Sequence, residues 1–566
     1  MFRVLRLLVL FLAVALIVAA CAPAPTLPAP TSQPVAAPTS VPPAPAATQP
    51  PAQAPTAAPT QAPTKAPTTA APTVAPTAAA PAKDILVIGQ TVDPPNLNPY
   101  ETTAPYASVY ANIMEPLMYI DKDANGNAAF KMLLATDYKW LDTTTIQFKL
   151  RQGVTFSNGE PFNADAAKFS LEQLFNAFSY TQWLQGLLKQ VDIVDPMTVN
   201  VVLTKPASIV PTIIAMGGFQ VPPKDFTARG KDAFNAAPIG SGPWVYKDHI
   251  KDDHITLTAN PTYWGGTPKF KQILYRIIPD DNARVAALEA GEIDLTPNVP
   301  YPAAARVEGN KNLKLITTPS LRNFATFFDT DNPKAKPLMD VRVRQALNYA
   351  IDRAGMCKTL FSGRCTPLDG QYLNKTQAGY DPSLKAFAYD AAKAKQLLTD
   401  ASYGSGFELD FTYTAGRYAL DKEAGQAIAG YLRAVGLTVN EKAVDFPEFA
   451  RQFEAKPRQT TALYQLGFLF GQDGYLTYLS YMPGIRFRSA PMPASFDDNL
   501  TKVGNAPDEA TRIKLLQDIE KSINAEPFAV YLYTLDDLYG AQSWVTGFTP
   551  RPDQTIRLTN MGVTPK

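Results

Sequence analysis

The stretch RQGVTFSNGEPFNADAAKFSLEQL, residues 151–174, decides the fold. Its second half has helical spacing. Ala167, Leu171, Leu174 and Phe175, continued by Phe178, fall on one face, and Asn163 can cap the free N–H groups of the first turn. Immediately upstream, Thr144–Leu150 alternates as a strand does. A strand end, a turn and a capped amphipathic helix thus follow one another directly.

The same alternation recurs on both sides. Lys83–Gln90 (KDILVIGQ) reads as a short apolar strand, ended by the turn-rich TVDPPNLNPY, and Thr198–Leu203 reads as another strand. Asp340 can cap a helix with Val343, Ala346, Leu347, Ala350 and Ile351 inward. A further helix starts after Asp390, with Ala394, Leu397, Leu398 and Ala401 inward. Another runs from about Lys422 to Val435 and stops at Gly436. The last, about Asp508–Asn524, precedes the apolar strand Phe528–Leu532. Strands and helices interleaved in this way predict α/β lobes. About 480 residues follow the start of that first strand, ample for two or three lobes with cores of their own.

The N-terminus points outside the cytoplasm. Arg3 and Arg6 precede an apolar run from Leu7 to Ala20, which at about 14 residues is too short to span a membrane. A charged start, a short apolar run and small residues at its end predict an export signal over 1–20. Val18-Ala19-Ala20-Cys21 resembles the lipobox of bacterial lipoproteins, in which the Cys thiol takes a diacylglycerol; two or three acyl chains hold a protein at a membrane where one does not. From Ala22 to Ala82 the chain is mostly Pro, Ala and Thr, with Lys65 its only charge. So many prolines forbid helix and sheet, and so few large apolar side chains leave no core to build. Residues 21–83 are therefore expected to form a disordered tether, about 190 Å long if fully extended as polyproline.

Chemistry is scarce. Lys plus Arg number 52 against 51 Asp plus Glu, with no basic run, which argues against a nucleic-acid partner. His249 and His254, the only histidines, lie five apart beside Asp252 and Asp253 and read as an exposed polar turn rather than a metal site. No nucleophile elbow or phosphate-binding loop occurs, and the pairs Asp280-Asp281 and Asp536-Asp537 have the look of ordinary surface carboxylates. No enzyme chemistry and no cofactor are expected. Cys357 and Cys365, eight positions apart in an exported chain, either close a small disulfide loop or remain buried thiols.

From about residue 84 to its end the chain resembles the extracellular solute-binding proteins of ABC importers, in the family of dipeptide, oligopeptide and nickel binders known as family 5. The resemblance rests on ordered blocks: ILVIGQTVDPPNLNPY, IMEPLMYIDKDANG, the stretch 151–174, IGSGPWVYKD, LEAGEIDL, DVRVRQALNYAIDRAGM, YDAAKAKQLLTDASY and AGRYALDKEAGQAIAGYLRAVGLTV. It implies a two-lobed, periplasmic-binding-protein-like type II α/β fold. The first lobe would comprise 84–318 plus 533–566, with an inserted subdomain at about 117–237, and the second lobe 319–532. It also implies a monomer that captures a small solute, an oligopeptide or similar, by lobe closure and presents it to ABC permease subunits. The setting implied is the extracytoplasmic face of the bacterial plasma membrane, with the lipid on Cys21 as anchor.

For the solute, the resemblance singles out LGFLFGQDGYLTYL (466–479). Phe468 matches an aromatic of the family's peptide binders, and Gly471 falls where they carry an Asp for the peptide's amino terminus. Asp473, two residues on, either takes that role or starts a turn before Gly474. Phe468, Phe470 and Tyr475 either wall the ligand or pack the core. Arg322 and Asn323 lie where the chain first crosses between lobes. Arg417 and Tyr418 in the AGRY turn, and Asp93 and Tyr106 in the first lobe, complete the candidate set. Two other classes fit a stalked, exported chain: a tethered hydrolase and a surface interaction protein.

Overall fold

Asn163 does cap its helix, Ala164–Ala177, accepting the Ala166 N–H at 3.1 Å. In the computed structural model the described residues are 83–101, 104–122, 128–177, 186–455, 459, 461–469, 471–483, 487–551 and 553–563. Cys21, the leader, almost all of the tether, Phe178 and Phe470 lie outside them. The unit Thr77–Lys566 holds everything described here.

The capped helix backs a four-stranded antiparallel sheet ordered Ala135–Asp142, Thr145–Leu150, Thr198–Leu203, Leu188–Asp195. Ile146, Phe148 and Leu150 are buried with Val199, Val201 and Leu203, in one cluster with Ala167, Leu171, Leu174 and Phe175. The period-2 and period-3.6 apolar faces read from the sequence thus share a core.

Eleven strands form one mixed sheet. On the first-lobe side Ile85–Gln90 pairs in parallel with Gln272–Ile277 and with Leu295–Thr296, and the hairpin Trp244–Ile250/His254–Ala259 continues to the edge. On the second-lobe side Glu408–Thr414 lies between Thr438–Val444 and Leu463–Leu469, all three parallel. Two long antiparallel strands, Leu313–Phe328 and Ala529–Gln542, join the halves. The first of them pairs Leu313–Pro319 with Asp536–Gln542 and Asn323–Phe327 with Ala529–Thr534, and its register slips between Pro319 and Asn323. Proline has no N–H for a ladder, so a slip beside Pro319 is the arrangement its chemistry favours.

The second-lobe helices start where their acidic caps predict. Asp340, Asp390 and Asp508 accept the N–H groups of Arg342, Lys393 and Thr511, and helix Asp421–Ala434 gives way to Gly436 at φ +102°. The arginines of DVRVRQALNYAIDRAGM have structural partners. Arg344 donates to the carbonyls of Pro527, Leu338 and Met339, and Arg353 to those of Tyr531, Asn348, Ile351 and Phe387. They fasten the helix Val341–Tyr349 and the turn after it to the start of the second crossing strand. Burial without a carboxylate lowers the Arg353 pKa to about 10. Cys357 and Cys365 are joined in a disulfide with Cα atoms 5.4 Å apart. On a loop-entropy account so short a loop contributes about 2–3 kcal/mol.

Three expectations change. The strand expected at Phe528–Leu532 runs instead from Ala529 to Gln542, because it is the second crossing. His249 and His254 sit at the ends of the paired strands on either side of the turn, both half-buried. Asp536 and Asp537 are half-buried mid-strand residues of the second crossing rather than surface carboxylates.

Candidate functional site

The register slip positions a cluster of polar side chains at the crossover. Ser320 Oγ accepts the Arg322 N–H at 3.1 Å, fixing the bulge. Arg322 lies in the strand segment paired with Leu463–Leu469, and its Nη1 donates to the Gly467 carbonyl at 3.2 Å. The Tyr418 hydroxyl donates to the same carbonyl at 2.9 Å, and the Arg322 guanidinium lies 5.5 Å from the Tyr418 ring centroid. Tyr418 meets Phe324 edge-on at 5.1 Å. Residue 467 is glycine because a Cβ there would fall 2.5 Å from the Phe324 ring. Arg417, exposed, flanks Tyr418 at 5.6 Å and covers Phe446 at 4.3 Å.

The turn carrying Arg417 and Tyr418 is built by Asp421. Its buried carboxylate accepts the N–H groups of Gly416, Arg417, Tyr418 and Lys422 and the Thr414 hydroxyl. Two aromatic walls and a guanidinium on a backbone carbonyl make a rigid, cationic surface suited to a planar anionic group such as a carboxylate. Desolvation lowers the Arg322 pKa, the negative charge of Asp537 acts against that shift, and among the described residues no carboxylate forms an ion pair with Arg322.

Asp537 stands across the slip, opposite Thr318. Gln554 Nε2 donates to its Oδ1 at 2.8 Å, whereas Oδ2 is buried and accepts no hydrogen bond of full geometry, although the Ser320 hydroxyl lies beside the carboxylate. Burial raises the Asp537 pKa to about 6, and the Gln554 bond and the positive charge of Arg322 act against it.

The other candidates lie in other surroundings. Asn323 is saturated: its Nδ2 donates to Tyr372 O and Gln377 Oε1, and its Oδ1 accepts from Asn374 and Thr534. Asp473 is buried, caps helix Gly474–Leu479 through the Tyr475 N–H, and forms an ion pair with buried Arg512. Phe468 packs against Phe327 and Phe487. Tyr475 packs against two separate hydrophobic clusters, and burial raises its pKa to about 12. Asp93 bonds to His249 Nε2 at 2.6 Å and to the Asp252 N–H at 2.8 Å, tying the turn after the first strand to the hairpin. Tyr106 belongs to helix Ala104–Ile113, and its side chain lies outside the described part. The fold therefore brings Arg322, Arg417 and Tyr418 together and gives Asp93, Asn323 and Asp473 protein partners of their own.

The segments around Ser208 and Ala506, and around Met216 and Gly471, also touch away from the crossover. The Ser208 N–H donates to the Ala506 carbonyl at 3.3 Å, and a Cβ on Gly471 would stand 3.1 Å from Met216. An open depression of about 420 Å³, lined by Thr501, Lys502, Ala506 and Leu515 among others, lies on the second-lobe helices and includes none of the candidate residues.

Residues 129–482 match the family described as bacterial extracellular solute-binding proteins, family 5 Middle. The chain belongs to this family. The glutathione-binding protein GsiB of Salmonella typhi is 31% identical over 391 residues, 68% of this chain and 73% of that protein. Among solved structures, NikA from Brucella suis in complex with Fe(III)-EDTA matches with a TM-score of 0.75 at 25% identity, over 85% of this chain and all of that one. DppA from Helicobacter pylori, in complex with the peptide STSA, matches with a TM-score of 0.69 at 20% identity, over 86% of this chain and 99% of that one. The protein is thus an extracytoplasmic solute-binding component that delivers its ligand to an ABC importer, and not an enzyme. The tethered hydrolase and the surface interaction protein gain no support from these likenesses. Among the described residues no helix is long and apolar enough to cross a membrane.

Proposed function

We propose that this solute-binding protein captures a peptide-like solute between two lobes, as a monomer held at the outer face of the plasma membrane by lipid on Cys21. The lobes are 84–318 plus 533–566, with the inserted subdomain at about 117–237, and 319–532; residues 21–83 are the tether. The observation that carries the ligand class is the Arg322 guanidinium against Tyr418, without an ion-pair partner among the described residues and set where the two long strands cross. Such a group suits a ligand with a free carboxylate. The relatives agree in kind: one is named for glutathione and another was solved with the peptide STSA. Because a closing ligand touches both lobes, it shifts the open–closed equilibrium only by its preference for the closed form.

A thermal-shift panel of short peptides, glutathione, sugars and metal chelates tests the ligand class. A peptide-like binder at a hundredfold excess over its Kd is expected to add about 2.7 kcal/mol of stability. Stabilisation by sugars or chelates alone would overturn the reading. The anchor has its own test. Cys21→Ser is expected to move the protein from the membrane to the soluble fraction, read by fractionation and immunoblot, with ligand affinity unchanged. A variant that stays with the membrane would remove Cys21 as the anchor.

A further inference from the structure

The second crossing strand, Ala529–Gln542, is paired on both edges where the register slips. On one edge the ladder with the first crossing strand steps from Asp536 opposite Pro319 to Thr534 opposite Asn323. On the other edge Cys365, Thr366 and Pro367 lie opposite Leu535, Thr534 and Tyr533. This short strand ends the disulfide loop, whose other end, Cys357, is buried in helix Arg353–Thr359. The loop also reaches helix Tyr301–Gly309. Phe361, fully buried, meets the Tyr301 ring at 5.5 Å and the Tyr533 ring at 5.0 Å between centroids. Arg364 forms an ion pair with Glu308 at 2.7 Å. The two sets of contacts meet at Asp536. Its N–H donates to the Arg364 carbonyl at 3.1 Å, and its carbonyl accepts the Tyr301 hydroxyl at 2.5 Å. On the lobe boundaries proposed above, helix Tyr301–Gly309 belongs to the first lobe and the disulfide loop to the second. One covalently closed loop then joins a second-lobe helix, the crossing strand and a first-lobe helix at the point where the lobes would rotate.

We propose that the Cys357–Cys365 loop is a redox-sensitive brace across the crossing, which holds the lobes in the closed arrangement while oxidised and loosens when an external dithiol reduces it. The inference rests on the two-lobed, peptide-like reading above and adds a control on its closure. The arrangement seen here is the closed one on those boundaries, because Ser208 of the first lobe donates to the Ala506 carbonyl of the second at 3.3 Å, remote from the loop. The bond restricts the freedom of the segment that carries Phe361 and Arg364, so both side chains stay set against the first-lobe helix. Opening the bond returns that freedom, and the contacts that favour closure weaken. Ligand affinity falls by the fraction of closed-competent protein lost. The reduction balances. A thiolate of the dithiol attacks the sulfur of half-buried Cys365, and Cys357 leaves as a thiolate that takes a proton. The second thiol of the reagent then displaces Cys365, which leaves two protein thiols and one cyclic reagent disulfide. Ser362 and Gly363 at the loop's tip are exposed, so the reagent can approach from solvent.

The test uses the mature chain carrying Cys21→Ser, in which Cys357 and Cys365 are the only cysteines. Binding of a cysteine-free tripeptide library is read by titration calorimetry before and after dithiothreitol. Hydrogen exchange of the unliganded protein is followed at Ser208, which reports closure, and at Thr145–Leu150, which reports general stability. Reduction is expected to weaken binding about threefold to tenfold and to speed exchange at Ser208, with Thr145–Leu150 unchanged. The double variant Phe361→Leu, Arg364→Gln keeps the disulfide and removes the side-chain contacts to helix Tyr301–Gly309; its Tm verifies folding. It is expected to bind as weakly as the reduced protein and to be indifferent to dithiothreitol. Unchanged affinity and unchanged Ser208 exchange on reduction would overturn the brace. So would faster exchange at both sites alike, or a double variant that still responds to reduction as the parent does. If the oxidised protein binds no tripeptide, the peptide-like reading fails, and exchange at Ser208 alone decides the brace.

Discussion

Glu520→Gln is expected to stabilise the protein at pH 9 by several kcal/mol and to leave it almost unchanged near pH 4. Glu520 is fully buried on helix Glu509–Ala525, where it accepts the Tyr478 hydroxyl and the Tyr372 N–H. Burial raises its pKa to about 8, these hydrogen bonds resist the shift, and Asp381 adds to it. The sign follows from linkage. The folded form holds the proton more tightly than the unfolded chain, so this contribution to stability is fully present below the unfolded pKa near 4.5 and is lost as pH rises through about 8. A displacement of that size corresponds to about 5 kcal/mol in all, to order of magnitude. Glutamine keeps the shape and an acceptor without a charge to desolvate, so the loss between pH 5 and 9 disappears. Asp537 and Asp294 shift in the same direction and steepen the wild-type profile. The difference between variant and wild type isolates Glu520. Urea midpoints at pH 5, 7 and 9 measure it; parallel curves would mean that Glu520 is ionised in the fold or solvated by a path the packing does not suggest.

What was legible in the sequence was local. Caps at Asn163, Asp340, Asp390 and Asp508 lie within three residues of the N–H groups they accept, so their spacing alone marks the helix starts. The second crossing strand was legible only in its first few residues. A strand buried on both faces loses its alternation, and Asp536-Asp537 then reads as a break, although those residues continue the ladder opposite Pro319 and Thr318. The crossover cluster needed tertiary structure. Arg322, Tyr418 and Gly467 come from three separate segments that only sheet pairing brings together. The resemblance pointed to Arg322 and Tyr418, yet nothing in it indicated Asp537. Its one local signal is a pair of charges inside an otherwise apolar run.

Asp473→Ala shows the same limit from the other side and is expected to destabilise the fold by about 3–5 kcal/mol. Read along the chain, Asp473 is an acid two residues past the position of the peptide binders' aspartate, and its loss would weaken a cationic ligand. In the fold its carboxylate is spoken for. With side chains 3% and 2% exposed, Asp473 and Arg512 pair across 39 positions of sequence, and the second Asp473 oxygen caps Gly474–Leu479 at 2.9 Å. Removing the acid leaves a buried guanidinium whose remaining acidic partner is the exposed Glu509 at 3.6 Å, and takes away a helix cap as well. A ligand ammonium at this carboxylate would have to displace Arg512 and bury two cations together, which the low polarity of the site opposes. The expected result is therefore a lower urea midpoint with an unchanged Kd. The double variant Asp473→Ala, Arg512→Leu should recover part of the loss, because no unpaired charge then remains. An unaltered midpoint together with more than tenfold weaker ligand binding would return Asp473 to the ligand.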